Sequence, residues 1–98
     1  MKNLNKLITV ENKLGVHARP SAMLVQLAIG FKSELFVRKI DDPVGSEVNA
    51  KSIMGVMMLA ASYKTKLNFH AVGDDAEELL KAVENLFKTK FSEENKNV

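Results

Sequence analysis

Two segments of this sequence could carry chemistry, and each lies where a helix is predicted to begin. In the first, Gly15, His17 and Arg19 directly precede apolar residues at helical spacing. A helix start presents backbone N–H groups and the positive end of the helix dipole, which together stabilise an anion. An imidazole nucleophile there suits transient phosphoryl carriage, with Arg19 adding a charge-assisted hydrogen bond. The alternative is a helix-start histidine with no special role, because such His–Arg pairs are common.

The second segment places Ser52 immediately before Ile53 and Met54, at another predicted helix start. A serine at this position is ordinarily an N-cap and contributes about 1 kcal/mol to stability. It could also be a phosphorylation site, because the helix dipole would tolerate the added negative charge. The helix that follows contains Met54, Met57 and Met58, which either fill the core or form an adaptable surface for partners. Both pairs of alternatives stay open on the sequence alone.

The elements that must position these segments follow from the apolar periodicity. Strands are predicted over residues 4–11, 34–39 and 47–50 and around Leu67, Phe69 and Ala71, and helices over residues 18–29, after Ser52 and after Asp75. The order β-α-β-β-α-β-α predicts an α+β fold, a two-layer open-faced sandwich in which three helices cover one face of a four-stranded, mainly antiparallel sheet. The core faces of the second and third helices are expected to come from Val56, Leu59 and Ala60, and from Leu79, Leu80, Val83, Leu86, Phe87 and Phe91.

Composition limits the class of protein. The 98 residues suit one domain, expected over 1–91, followed by a polar tail over 92–98 that frays. A net charge of +2 does not favour nucleic acid or an anionic membrane as partner. The absence of cysteine excludes disulfides, thiol nucleophiles and thiolate metal sites. With no signal peptide and no apolar run near the ~20 residues of a membrane span, we expect a cytoplasmic monomer.

The other polar candidates favour structural roles. His70 lies on the alternate face of the last strand and is expected to be solvated. Asp41 and Asp42 fit turn chemistry better than a pair of catalytic carboxylates. Because the two histidines stand on separate elements without clustered carboxylates, the spacing gives no metal site, and we expect no cofactor.

These residues also resemble a known family. The run Gly-Val-His-Ala-Arg-Pro at 15–20 resembles the active-site motif of HPr, the histidine phosphocarrier family of the bacterial phosphotransferase system. The run Asn-Ala-Lys-Ser-Ile-Met-Gly-Val-Met at 49–57 resembles the regulatory-serine segment of that family. The two motifs occur in the order of the family, and the resemblance covers residues 5 to about 91.

The resemblance implies a phosphoryl relay without turnover of its own. Enzyme I, charged by phosphoenolpyruvate, would phosphorylate His17, and the carrier would pass the group to a IIA-type protein. Arg19 would support the phosphohistidine, and HPr kinase/phosphorylase would modify Ser52 beside the start of the first helix. The positions that match partner-binding sites of the family are Ala18, Ala22, Ile53, Met54 and Met57.

The sequence departs from the family pattern in the loop over residues 40–46, which is longer than usual, and in the turn at 63–66, which lacks glycine. The intact Lys51–Met54 segment favours a kinase-regulated HPr over the nitrogen-linked variant NPr. The main alternative is a purely regulatory HPr-like or NPr-type binding module, against which the retained His17 argues. A small hydrolase of the acylphosphatase type is a weaker alternative, since no water-orienting asparagine can be placed beside an arginine cradle.

Overall fold

The chain forms one antiparallel sheet with helices on one of its faces, as the pattern predicts. A computed structural model describes residues 1–42, 45 and 47–92. The sheet has the strand order β1-β4-β2-β3, and every neighbouring pair is antiparallel. The elements are β1 (Lys2–Thr9), α1 (Ala18–Ile29), β2 (Glu34–Lys39), β3 (Val48–Asn49), α2 (Ile53–Met58), β4 (Lys66–Gly73), α3 (Ala76–Lys88) and a final 3₁₀ turn (Lys90–Ser92).

The predicted bounds of the helices and strands agree with the structure to different degrees. Those of α1 and β2 are confirmed, whereas β1 begins and ends two residues earlier than expected. The return strand β3 is shorter than the predicted 47–50, and it pairs Val48 with Val37 and Asn49 with Phe36. Residues 43, 44 and 46 of the long loop and residues 93–98 of the expected tail lie outside the described residues.

The core lies between the helices and one face of the sheet. Along β4, Leu67, Phe69 and Ala71 are buried, while Asn68, His70 and Val72 are half-buried on the opposite face. The Phe69 ring packs edge-on against Phe87 of α3, with their centroids 5.6 Å apart. This one-sided burial is typical of an antiparallel sheet with one solvated face.

Phe91 reaches the core by a route that the helical pattern does not predict. The helix α3 ends at Lys88, and Phe91 follows in the 3₁₀ turn with a left-handed φ of 56°. Its ring is buried, and its centroid lies 4.8 Å from that of Phe87. The expectation that Phe91 extends the apolar face of α3 is therefore wrong, although its burial is confirmed.

Asp75 ties two turns together at the start of α3. Its carboxylate accepts hydrogen bonds from the Ser33 hydroxyl, from the Lys32 N–H at 2.9 Å and from the Ser33 N–H at 2.8 Å. Mainly because of the Ser33 hydroxyl, and then of the Lys32 N–H, the pKa of Asp75 falls from 3.8 to about 2. The carboxylate thus fastens the turn between α1 and β2 to the turn between β4 and α3.

None of the helices in the described part of the chain combines the length and the apolar character that a bilayer span requires.

Candidate functional site

His17 is the N-cap residue of α1. Its backbone is extended, with φ −90° and ψ −160°, its side chain makes no capping hydrogen bond, and it is exposed to solvent. The first intrahelical bond runs from the Ser21 N–H to the His17 carbonyl at 2.9 Å. Ala18 and Arg19 precede this bond in the first turn of α1, and Pro20 has no N–H to contribute. An anion attached to the imidazole would therefore meet the positive end of α1.

The turn that carries His17 is fixed by buried contacts. The buried Asn12 donates a hydrogen bond from Nδ2 to the Gly15 carbonyl at 2.6 Å, and the Gly15 N–H returns one to the Asn12 carbonyl at 3.0 Å. The Val16 N–H donates to the Ala61 carbonyl at 2.8 Å. Gly15 has a φ of +75°, and a Cβ atom there would lie 2.7 Å from the Ala61 oxygen. Only glycine therefore fits this turn without strain, and the turn holds His17 in place.

Arg19 lies two residues after His17 in the first turn of α1, and it is exposed. Ala18 is also exposed, and Ala22, one turn further along α1, is half-buried. The structure thus places these predicted site residues on or next to the first turn of α1.

Ser52 is the N-cap of α2, as its position predicts. Its Oγ accepts a hydrogen bond from the Gly55 N–H at 3.1 Å, and its backbone is extended. The neighbouring Lys51 donates from Nζ to the Phe31 carbonyl at 2.9 Å, just beyond the C-terminal end of α1. The capping role of Ser52 is confirmed, and its side chain is half-buried. The Lys51 contact ties this end of α2 to the far end of α1, so the expectation that Ser52 lies beside the start of the first helix is wrong.

Helix α2 exposes most of its apolar side chains. Val56 is fully buried, whereas Ile53 is 44%, Met54 71%, Met57 44% and Met58 76% exposed. We call these four exposed residues the α2 surface. The methionines of α2 therefore form a surface rather than core filler. Met58 is the most exposed of them, and its i+4 spacing from Met54 could have indicated that it shares the outer face.

Ala60 does not contribute to the core face of α2. The helix ends at Met58, and Ala60 follows with a left-handed φ of 51° and an exposed side chain. Leu59 and Ala61 are buried instead. The expectation for Ala60 is wrong because the chain leaves the helix early to place the Ala61 carbonyl against the His17 turn.

His17 and the distal end of α2 border one shallow depression of about 300 Å³. Its lining includes Met57 from α2, His17 and Ala18 from the start of α1, and Ser62. Ser52 stands at the opposite end of the six-residue α2, about 9 Å along the helix axis. The His17 turn therefore lies next to the Met57 end of the α2 surface, whereas the length of α2 separates it from Ser52.

His70 lies apart from this site, on the sheet face that the helices leave open. Its Nδ1 is 3.1 Å from a Glu47 carboxylate oxygen, and its Nε2 is 2.6 Å from the Asn3 side-chain oxygen. Its ring also lies 5.9 Å from that of Phe36. The expected position on the solvated face is confirmed, but the half-buried ring is held by neighbours from three parts of the chain. Among the described residues, no three His, Asp or Glu side chains gather as potential metal ligands.

The comparison with known families decides the class of protein. The family model described as "PTS HPr component phosphorylation site" matches residues 4–89. The chain belongs to the HPr family of phosphocarrier proteins. The match spans both the His17 turn and the Ser52 segment.

Curated relatives agree with this assignment. The chain is 45% identical over 89 residues to the phosphocarrier protein HPr of Treponema pallidum, which covers 91% of this chain and 97% of the relative. It is also 34% identical over 91 residues to the phosphocarrier protein NPr of Escherichia coli K12, covering 93% and 98%. Both branches of the family are thus similar to this chain over nearly its whole length.

Solved structures of the family share the fold. HPr from Thermoanaerobacter tengcongensis matches with a TM-score of 0.81 and 44% identity, covering 95% of this chain and 98% of that one. A second structure, described as an HPr dimer from the same organism, matches with a TM-score of 0.68 and 45% identity, covering 86% and 92%. These matches confirm the predicted fold class.

Proposed function

We propose that this phosphocarrier accepts its phosphoryl group on His17 from enzyme I and passes it to a IIA-type protein. The observation that carries the proposal is the position of His17, an exposed imidazole at the N-cap of α1 inside the segment that matches the family. The other histidine, His70, is engaged by Glu47 and Asn3 on the opposite side of the sheet. His17 is exposed whereas His70 is half-buried, so His17 is the histidine that a large donor protein can reach.

The transfer itself needs little from the carrier beyond a nucleophile and an anion cradle. A ring nitrogen of His17 attacks phosphorus, a P–N bond forms, and the bond from phosphorus to the donor breaks. The helix dipole and the outward N–H groups of α1 stabilise the transferred oxygens. Arg19 adds a charge-assisted hydrogen bond to them. The reverse sequence delivers the group to the next acceptor, so no catalytic base or metal is needed.

The docking surface for these partners is the α2 surface together with Ala18 and Ala22. It is apolar and, apart from the half-buried Ala22, exposed, and it includes Met57, which lines the depression that His17 borders. Flexible methionines suit an interface that must accept enzyme I and IIA-type proteins in turn. A partner seated there covers His17 and excludes water from the transfer.

Ser52 is the regulatory position in this proposal, modified by HPr kinase/phosphorylase with ATP. A phosphate at the N-cap of α2 is favourable for the helix, because it meets the positive end of the dipole. It also places about −1.5 to −2 charge at one end of the apolar docking surface. The intact sequence of residues 51–54 supports the kinase-regulated branch over NPr.

A regulatory role without sugar transport is the second candidate. It rests on the similarity to NPr, which at 34% identity is lower than the 45% identity to HPr. In that case the α2 surface would bind regulated proteins, and enzyme I would be the nitrogen-linked one. For the leading candidate we expect a cytoplasmic monomer that serves sugar uptake.

Incubation with enzyme I and phosphoenolpyruvate tests the proposal. The expected result is a single acid-labile phosphate by intact mass, which then moves to an added IIA-type protein. Faster loading by a sugar-branch enzyme I than by a nitrogen-branch enzyme I separates the two candidates. A protein that takes up no phosphate from either enzyme contradicts the proposal.

A further inference from the structure

The exposed methionines of α2 carry a chemistry that phosphoryl transfer does not use. Met54 and Met58 are 71% and 76% exposed, and they lie four residues apart on the outer face of α2. The thioether of an exposed methionine is oxidised to a sulfoxide, which converts a flexible apolar side chain into a polar one. Oxidation at these positions would change the docking surface and leave the core untouched.

We propose that Met54 and Met58 are oxidation sites through which a peroxide switches off docking to enzyme I. The methionine sulfur attacks one oxygen of hydrogen peroxide, an S–O bond forms and the O–O bond breaks. The sulfur loses two electrons, and the second oxygen leaves as water with both protons. Methionine sulfoxide reductases reverse the change.

The fold should survive this oxidation because both side chains face solvent. Val56, which is fully buried, anchors α2 to the core from the other side. In the complex, however, each sulfoxide oxygen would have to leave water for an apolar contact, which is unfavourable. We expect transfer from enzyme I to slow about tenfold, which corresponds to about 1.4 kcal/mol of docking free energy.

The chain contains its own control for the position of oxidation. Met1 is 93% exposed, and its amino group lies 3.8 Å from a carboxylate oxygen of Asp74, next to the Asp75 turn rather than on α2. Peroxide should oxidise Met1 as well, but without an effect on docking. The double variant Met54→Leu with Met58→Leu keeps the volume and the apolar character of these two positions and removes their sulfurs, while Met57, which is 44% exposed, keeps its sulfur in both proteins. Each protein is therefore compared with its own untreated form.

The inference rests on the proposed function, and one experiment separates the two. The full-length wild-type protein and the double variant are treated with hydrogen peroxide, freed of it and mapped by peptide mass spectrometry. The initial rate of phosphoryl transfer from enzyme I and the melting temperature are then measured for each. We expect oxidised wild type to transfer more slowly than untreated wild type and to recover after treatment with the reductases, and we expect the treated double variant to keep the rate of the untreated double variant. The melting temperature of each protein should stay unchanged.

Three other outcomes contradict the switch, and the last of them contradicts the proposed function as well. If untreated protein transfers and oxidised protein transfers equally fast, the oxidation switch is wrong and the proposed function stands. If the double variant slows as much as wild type, the sensitive residues lie elsewhere and the assignment to Met54 and Met58 is wrong. If untreated protein takes no phosphate from enzyme I, the proposed function is wrong and the switch is wrong with it.

Discussion

Two substitutions at Ser52 should separate its capping role from its regulatory role. In Ser52→Ala, the Gly55 N–H loses the acceptor that lies 3.1 Å away at the start of the six-residue α2. Deletion of an N-cap side chain costs about 1 kcal/mol, which lowers the melting temperature of a domain this size by about 4–8 °C. The substitution adds no charge to the docking surface, so phosphoryl transfer to His17 should proceed at the wild-type rate.

Ser52→Asp should show the opposite pattern. Aspartate is a good N-cap and its charge suits the helix dipole, so stability should stay within about 0.5 kcal/mol of wild type. The added carboxylate stands at the edge of the α2 surface and must be desolvated when enzyme I docks. Transfer should slow about tenfold, equivalent to about 1.4 kcal/mol of association free energy.

Thermal unfolding and the initial rate of phosphate uptake from enzyme I measure the two effects. Ser62→Ala is the control for stability, because Ser62 is exposed and its hydroxyl lies 3.3 Å from the Thr65 hydroxyl at the surface. It should change stability by less than about 0.5 kcal/mol. Wild-type transfer by Ser52→Asp would refute the regulatory interpretation, and an unchanged melting temperature of Ser52→Ala would refute the capping argument.

Three further predictions concern the His17 turn and the Asp75 contact. Arg19→Ala removes a charge-assisted hydrogen bond worth about 1.5–3 kcal/mol, so phosphoryl transfer should slow about tenfold or more while the melting temperature stays unchanged. Unchanged transfer kinetics would show that Arg19 does not contact the phosphoryl group. Gly15→Ala should lower the free energy of unfolding, measured with denaturant, by at least about 1–2 kcal/mol, because φ is +75° and the new Cβ would lie 2.7 Å from the Ala61 oxygen. Gly30→Ala is the control and should not destabilise the protein, because Gly30 has a φ of −71°. Because the pKa of Asp75 is lowered to about 2 in the folded protein, its stabilising contribution is present above about pH 4 and is lost as pH falls toward 2. Asp75→Asn should therefore destabilise at pH 7 and lose its difference from wild type near pH 2 in urea titrations, and a constant difference would contradict the assigned cause.

Local signals in the sequence predicted the parts of the site that local chemistry determines. The N-cap at Ser52 and the bounds of α1 were predictable because caps, proline and apolar spacing act within one or two turns. The exposure of Met54 and Met57 remained one of two alternatives, because the periodicity of a short helix does not say which side meets the sheet.

The features that sequence reasoning missed depend on distant partners. Asp75 bonds to residues more than 40 positions earlier, and His70 is held by Asn3, 67 positions away. The early end of α2 at Met58 follows from the contact between the Ala61 carbonyl and Val16. Such contacts leave no periodic signal, so only the folded chain reveals them.

The central claim is that His17 is the phosphoryl acceptor, and a matched pair of histidine variants tests it most directly. His17→Ala and His70→Ala are each incubated with enzyme I and phosphoenolpyruvate, and their acid-labile phosphate is measured by intact mass. We predict a full single phosphate on His70→Ala and none on His17→Ala. Acid-labile phosphate on His17→Ala would contradict it.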